Sequence, residues 1–326
     1  MTIIDFHNHF YPPAYLEAIQ AGPSSIKVTV DDDSNPLLHY PGDYNIVVPG
    51  HRDVDFRAQI LDKAGVDMQV LTMTTPGTHV ESPQRAVELA RIVNDEFAAI
   101  MQTRGERFTA LGTLPLNDPQ ASVAEMERSR AEHGFKGFQV FSNIDGVELT
   151  DPRFWPLYAK ASDLELILDI HPTFPAGVEA MSDYWLMPLL GFTFDTTLTA
   201  AKLVFSGVAE RYPGIKWILN HAGGAIPYLA ERLDRGYEAF KECRAHISKP
   251  PSTYLKNFYF DAVNFDPQAL QLCVDFAGAE HVLAGSDYPH QIGSLAKMLS
   301  TIDQLKITAK EKKQILGGNA RRLLGL

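Results

Sequence analysis

Short apolar runs recur along this chain, and stretches with helical spacing separate them. The first run, Ile3-Ile4-Asp5-Phe6-His7-Asn8-His9-Phe10, reads as a strand that ends in two histidines. Further strands are expected over 66–71, 108–112, 135–140, 164–170, 216–220, 258–261 and 281–285, all rich in aliphatic, β-branched or aromatic residues. Between them the spacing predicts helices over 55–64 and 82–103, from 118 and from 151, over 184–211 and 225–245, and from 266. Ser82-Pro83, Asp118-Pro119, Asp151-Pro152 and Asp266-Pro267 each set a capping side chain before a proline at the first helical position. Helices close the chain, with Thr308 as a cap. Apolar strands buried on both faces and separated by helices argue for βα units and a parallel sheet. Eight such units in 326 residues fit an α/β fold of the (β/α)8 TIM-barrel class, in one domain covering 1–326, better than an open sheet. Residues 22–50 break the alternation. Rich in Pro, Gly, Asp and Asn, and including Asp31-Asp32-Asp33, they read as a small rim insertion after strand one, formed as a β-hairpin.

Composition narrows the function by exclusion. The formal net charge is -11 and no Lys/Arg run is present, which argues against a nucleic-acid partner. No long uncharged apolar run could span a membrane, and no signal peptide is visible at the N-terminus. The two cysteines, Cys243 and Cys273, do not form a Cys-x-x-Cys motif. They point to a reducing, cytoplasmic setting rather than a disulfide framework. No Gly-x-Gly-x-x-Gly follows the first strand, which disfavours a dinucleotide cofactor.

The chemistry is at the strand ends. Side chains alternate along a strand, so His7 and His9 face the same side and are preset to share one metal ion. Strand five runs into His171, strand six into His221, and strand eight into Ser286-Asp287. Taken singly, each has an ordinary role as a rim hydrogen-bonder or a helix cap. In a barrel, however, all five residues point to the C-terminal mouth, where active sites of that fold lie. His7, His9, His171 and Asp287 offer three nitrogens and one oxygen, a set that suits zinc and that manganese tolerates.

In this order, His-x-His, His171-Pro172, His221-Ala222-Gly223-Gly224 and Gly285-Ser286-Asp287-Tyr288-Pro289 resemble the amidohydrolase superfamily. Gly191-Phe192-Thr193-Phe194-Asp195-Thr196-Thr197 narrows the resemblance to the branch typified by aminocarboxymuconate semialdehyde decarboxylase, which includes non-oxidative hydroxybenzoate decarboxylases. The resemblance implies one divalent metal, typically zinc, on His7, His9, His171 and Asp287, with His221 unligated as the acid/base or orienting group. Strand four ends in Gln139-Val140-Phe141-Ser142-Asn143 and lacks the mouth lysine of many hydrolases, which argues for a mononuclear site. Lys136 lies early in that strand, where a solvated or core-edge role is expected.

The resemblance further implies a metal-dependent decarboxylase of a small aromatic or unsaturated carboxylic acid, acting as a homodimer. Removing CO₂ from an sp² carbon requires a proton at that carbon, and Asp287, or water activated through His221, is positioned in sequence to supply it. Arg232 matches an arginine that in the family reaches the substrate carboxylate across the dimer, and a surface ion pair is its ordinary alternative. Trp185 and Phe174 follow strand five and could wall a planar substrate. Asn45 stands where the muconate enzyme has a substrate-binding arginine, which favours a hydroxybenzoate-like acid with one carboxylate. Arg52 lies nearby, and Arg57 is expected on the surface of its helix. His51, His79 and His290 read as structural or solvent-exposed rim residues. Two rivals remain: a hydrolase or hydratase of a lactone or unsaturated diacid using metal-activated water, and a non-catalytic metal-binding barrel.

Overall fold

In a computed structural model of the protein, residues 2–40 and 43–326 are described. The chain forms two compact units, Met1–Gln139 with Gly285–Ala296, and Val140–Ala284 with Lys297–Leu326.

The first unit is built on parallel strands β1 (Ile4–Asp5), β5 (Met68–Leu71) and β6 (Phe108–Ala110), in the order β1-β5-β6. Register is set by Ile4 opposite Met68 and Gln69 opposite Phe108. The first strand is shorter than its apolar run suggests. Beyond Asp5 the pairing continues only as single bridges, Asn8 to Tyr288 and His9 to Thr72. The insertion forms a three-stranded antiparallel sheet of β2 (Lys27–Val30), β3 (Pro36–Tyr40) and β4 (Asp43–Ile46), one strand more than the expected hairpin. Positions 41 and 42 of that segment lie outside the described residues. The helix Pro83–Arg104 starts where Ser82 accepts from the Arg85 amide, and it buries Leu89, Val93 and Phe97 along one stripe.

The second unit holds the strands β13-β12-β11-β10, in that order, and the end of β7. These are β7 (Gly137–Phe141), β10 (Ile167–His171), β11 (Lys216–Leu219), β12 (Tyr259–Asp261) and β13 (Val282–Leu283); β8 (Asn143–Ile144) and β9 (Val147–Glu148) form a small hairpin. Pairing among β10, β11, β12 and β13 is parallel. Every residue of β10 is buried, as a strand covered on both faces requires. Helix Pro267–Ala277 begins where the Asp266 carboxylate accepts from the Gln268 and Ala269 amides, and Thr308 closes a capping box with Glu311.

The helical region expected over 184–211 and the long helix expected over 225–245 are both divided. The 184–211 stretch divides into a π-turn Met187–Gly191, a helix Phe192–Phe205 and a short helix Val208–Arg211. The break falls at Gly207, whose φ of 80° suits glycine, and a Cβ there would lie 2.6 Å from the His246 carbonyl oxygen. The 225–245 stretch is helical over Ile226–Ala239, turns extended at Phe240 and ends in a 3₁₀ turn, Lys241–Arg244.

Candidate metal and acid-base site

The residues after β1 place His7 and His9 side by side. Their Nε2 atoms are 3.1 Å apart, and Asp287 Oδ1 lies 3.2 Å from His9 Nε2 and 3.7 Å from His7 Nε2. All three side chains are buried. Asp287 Oδ1 accepts no conventional hydrogen bond from any described group. Two imidazole nitrogens and a carboxylate oxygen, each able to present a lone pair, thus converge on one buried point, a donor set that a divalent cation suits. These donors fit the metal that the sequence implies.

Backbone bonds bring the two ends of the chain to this point. The amides of Ser286 (3.0 Å) and Asp287 (2.8 Å) donate to the His7 carbonyl, and the His9 amide donates to the Tyr288 carbonyl at 2.8 Å. Asp287 sits at φ 57°, a left-handed backbone that turns its carboxylate toward the two imidazoles.

Beneath the donors is a buried network that strand-end reasoning missed. The Asp5 carboxylate accepts the Ser286 amide (2.9 Å), the Ser286 hydroxyl (2.6 Å) and Gln69 Nε2 (2.7 Å). Burial pushes its pKa up to about 6 against those stabilising bonds. The expectation for Arg57 is overturned: it is 0% exposed, not on a helix surface. Its Nε and Nη2 donate to the Gly50 carbonyl (2.9 and 2.7 Å), Nη1 donates to Asn8 Oδ1 (2.6 Å) and Gln69 Oε1 (3.1 Å), and Nη2 donates to the His9 carbonyl. Burial lowers its pKa to about 10, which leaves it charged at neutral pH.

His171 and His221 belong to the second unit. His171 is the buried last residue of β10, and its Nδ1 donates to the Pro172 carbonyl at 2.7 Å. That tautomer puts the lone pair on Nε2, the form a metal ligand needs. The His221 ring lies 5.7 Å from the His171 ring, edge to face. His221 has φ 55°, and its amide and that of Ala222 both donate to the buried Asp261 carboxylate at 2.9 Å. The two glycines that follow have steric reasons. A Cβ on Gly223 would lie 2.5 Å from the Phe260 ring, and one on Gly224 would lie 2.1 Å from the Thr193 carbonyl oxygen.

Asp195 braces the same segment. Its carboxylate accepts the Ser142 hydroxyl and, at 3.4 Å, the Thr173 amide, while the Ser142 amide donates to the His171 carbonyl. Burial raises the Asp195 pKa to about 6.

The expected substrate contacts fare unevenly. Phe174, with Asp195, Ser142 and Lys202, lines a cavity of about 320 Å³ in the second unit. Trp185 does not line that cavity and is 58% exposed. Arg232 is exposed on the helix Ile226–Ala239. Asn45 is occupied by Tyr11 and Thr75, and Arg52 donates to the Val47 carbonyl. His51 and His79 are buried, and His290 is half-buried. Lys136 is exposed, as expected.

The chain belongs to the amidohydrolase family, whose description matches residues 4–326. Among curated relatives, 2-amino-3-carboxymuconate-6-semialdehyde decarboxylase of Dictyostelium discoideum is 34% identical over 84% of this chain and 77% of its own length. The crystal structure of 5-carboxyvanillate decarboxylase LigW from Sphingomonas paucimobilis superposes with a TM-score of 0.87 at 26% identity, covering 100% of this chain and 99% of that one. A dihydroxybenzoic acid decarboxylase from Polaromonas, solved with manganese and the inhibitor 2-nitroresorcinol, gives a TM-score of 0.82 at 25% identity over 100% and 97% of the two chains. These likenesses bear out the α/β class with parallel strands expected from the sequence, the (β/α)8 class of such enzymes. They also support a carboxy-lyase over the hydrolase alternative. Among the described residues no helix is long and apolar enough to cross a membrane.

Proposed function

We propose that this single-domain enzyme is a metal-dependent, non-oxidative decarboxylase of a small hydroxybenzoate-like acid. The observation that carries the reading is the buried convergence of His7 Nε2, His9 Nε2 and Asp287 Oδ1. His171, whose tautomer presents the Nε2 lone pair, is the fourth ligand. The donor set favours zinc, and manganese in the Polaromonas relative makes it the alternative. When bound, such an ion would supply Lewis-acid charge for the substrate carboxylate.

The remaining chemistry is assigned to the chain. The substrate carbon must gain a proton before CO₂ departs. His221, whose backbone is anchored on Asp261, and Asp287 are the groups assigned to hold and deliver it. Phe174 and Trp185 are the aromatic wall, and Arg232 is the carboxylate contact. Arg232 acts across a homodimer. Exposed Tyr184, Trp185, Leu189, Phe194 and Tyr228, an apolar set in the same unit, support that assembly. The two unpaired thiols support a reducing, cytoplasmic setting.

Metal analysis of the purified protein tests the reading, followed by ¹³CO₂ release from carboxyl-labelled hydroxybenzoates and muconate-type acids. About one zinc or manganese per chain together with CO₂ release is the expected result. Metal without CO₂ from any acid would return the reaction to hydrolysis or hydration. No metal would remove the centre itself. An Asp287→Asn protein that kept both metal and full rate would exclude Asp287 as proton donor.

A further inference from the structure

Beside the His7–His9–Asp287 cluster, the first unit carries a second group of rings that the proposed chemistry leaves unused. The His290 ring lies 4.8 Å from the His9 ring, His51 lies 5.1 Å from His290, and Tyr11 lies 5.5 Å from His51. His51 is 1% exposed, and neither Nδ1 nor Nε2 meets a hydrogen-bond partner among the described residues. An imidazole buried without partners is destabilising, so its retention needs a reason.

Polar neighbours of this group are already committed. Asn45 Nδ2 donates to the Tyr11 hydroxyl at 2.9 Å and to the Thr75 carbonyl at 2.5 Å. The Tyr11 hydroxyl donates to that same carbonyl at 2.5 Å. Arg57 directs five hydrogen bonds at Gly50, Asn8, Gln69 and His9. Burial, first, and then the neighbouring His290, Arg57 and Arg52 hold His51 uncharged. An uncharged imidazole offers one donor and one acceptor, which matches a hydroxyl. A second carboxylate would call for a cation or paired donors.

We propose that His51 is a specificity-determining residue that receives a hydroxyl group of an aromatic monocarboxylic acid, two ring contacts away from the metal-ligand candidate His9. This rests on the reading of His7, His9 and Asp287 as the metal centre of a decarboxylase.

The test is calorimetric titration of the manganese-loaded full chain with 2,6-dihydroxybenzoate, benzoate and benzene-1,3-dicarboxylate. The wild type is expected to bind the dihydroxy acid about tenfold tighter than benzoate, the worth of one well-made hydrogen bond. The dicarboxylate should bind no tighter than benzoate. His51→Phe should shrink the preference to about twofold or less, with benzoate affinity and metal content unchanged. Should the Phe variant not fold, His51→Met carries the same comparison.

A variant that keeps the full preference would show that His51 only packs or holds buried water. Wild-type protein that fails to prefer the dihydroxy acid, or that favours the dicarboxylate, would also overturn the proposal. The decarboxylase reading fails separately: metal-loaded protein with the expected preference but no ¹³CO₂ release would leave His51 assigned and remove the reaction.

Discussion

Arg57→Met probes the network beneath the donors most directly. The guanidinium makes five hydrogen bonds to four acceptors, the Gly50 and His9 carbonyls, Asn8 Oδ1 and Gln69 Oε1. Each buried acceptor left without a donor costs about 1–3 kcal/mol. Relief of the desolvated charge offsets part of that sum, and the net loss should be about 3–5 kcal/mol, the range for breaking a buried charged network from one side. Total stability is only about 5–15 kcal/mol, so the melting temperature should fall by roughly 5–15 °C. Arg57→Lys keeps the charge but not the planar fork, and should lose about half as much. Differential scanning fluorimetry on both variants, with metal analysis alongside, reads the effect. Because Arg57 holds the His9 carbonyl, metal occupancy at limiting metal should fall with the melting temperature. An Arg57→Met protein that melts within about 2 °C of wild type and binds metal normally would refute the argument.

Two further outcomes follow from the second unit. Asp195 has a folded pKa raised to about 6 from 3.8, so its favourable contribution is present below about pH 4 and is lost as pH rises through about 6. Asp195→Asn, which can still accept from Ser142 and Thr173, should therefore gain melting temperature relative to wild type between pH 4 and 7; a flat difference across that range would contradict the raised pKa. Gly224→Ala should cost about 3 kcal/mol or more, because it combines φ 60° with a Cβ 2.1 Å from the Thr193 carbonyl oxygen. Its urea midpoint reads this directly, and an unchanged midpoint would mean that the His221 turn yields easily.

The alternation of apolar runs and capped helices made the βα order legible, because burial period and cap chemistry are local. What locality could not show is how backbone groups are spent. The run from Ile3 to Phe10 looks like one strand, yet ladder pairing stops at Asp5. Beyond it, the His7 and His9 backbones bond to Ser286, Asp287 and Tyr288 from the far end of the chain. Strand-end bookkeeping singled out His7, His9 and Asp287, which the fold brings together, but passed over Asp5, which ties Ser286 beneath them.

Signals for the missed residues were nonetheless present. Asp5 is a carboxylate between the apolar Ile4 and Phe6 at the start of the Ile3–Phe10 stretch, and a buried carboxylate there needs hydrogen-bond partners. Arg57 and Leu61 stand four apart on one helical stripe, and both are the buried residues of the helix Val54–Ala64. Reading charge before period sent Arg57 to the surface; reading period first would have sent it inward. His51 lies in the helix Pro49–Arg52, which is too short to show a period, and is buried there with Gly50. There a Cβ on Gly50 would lie 2.4 Å from the Tyr288 hydroxyl. His51 is buried beside it, and its backbone carbonyl accepts the Tyr11 amide at 2.7 Å. Polar residues that the fold buries, and that no strand-end rule collects, form the layer between scaffold and chemistry in this protein.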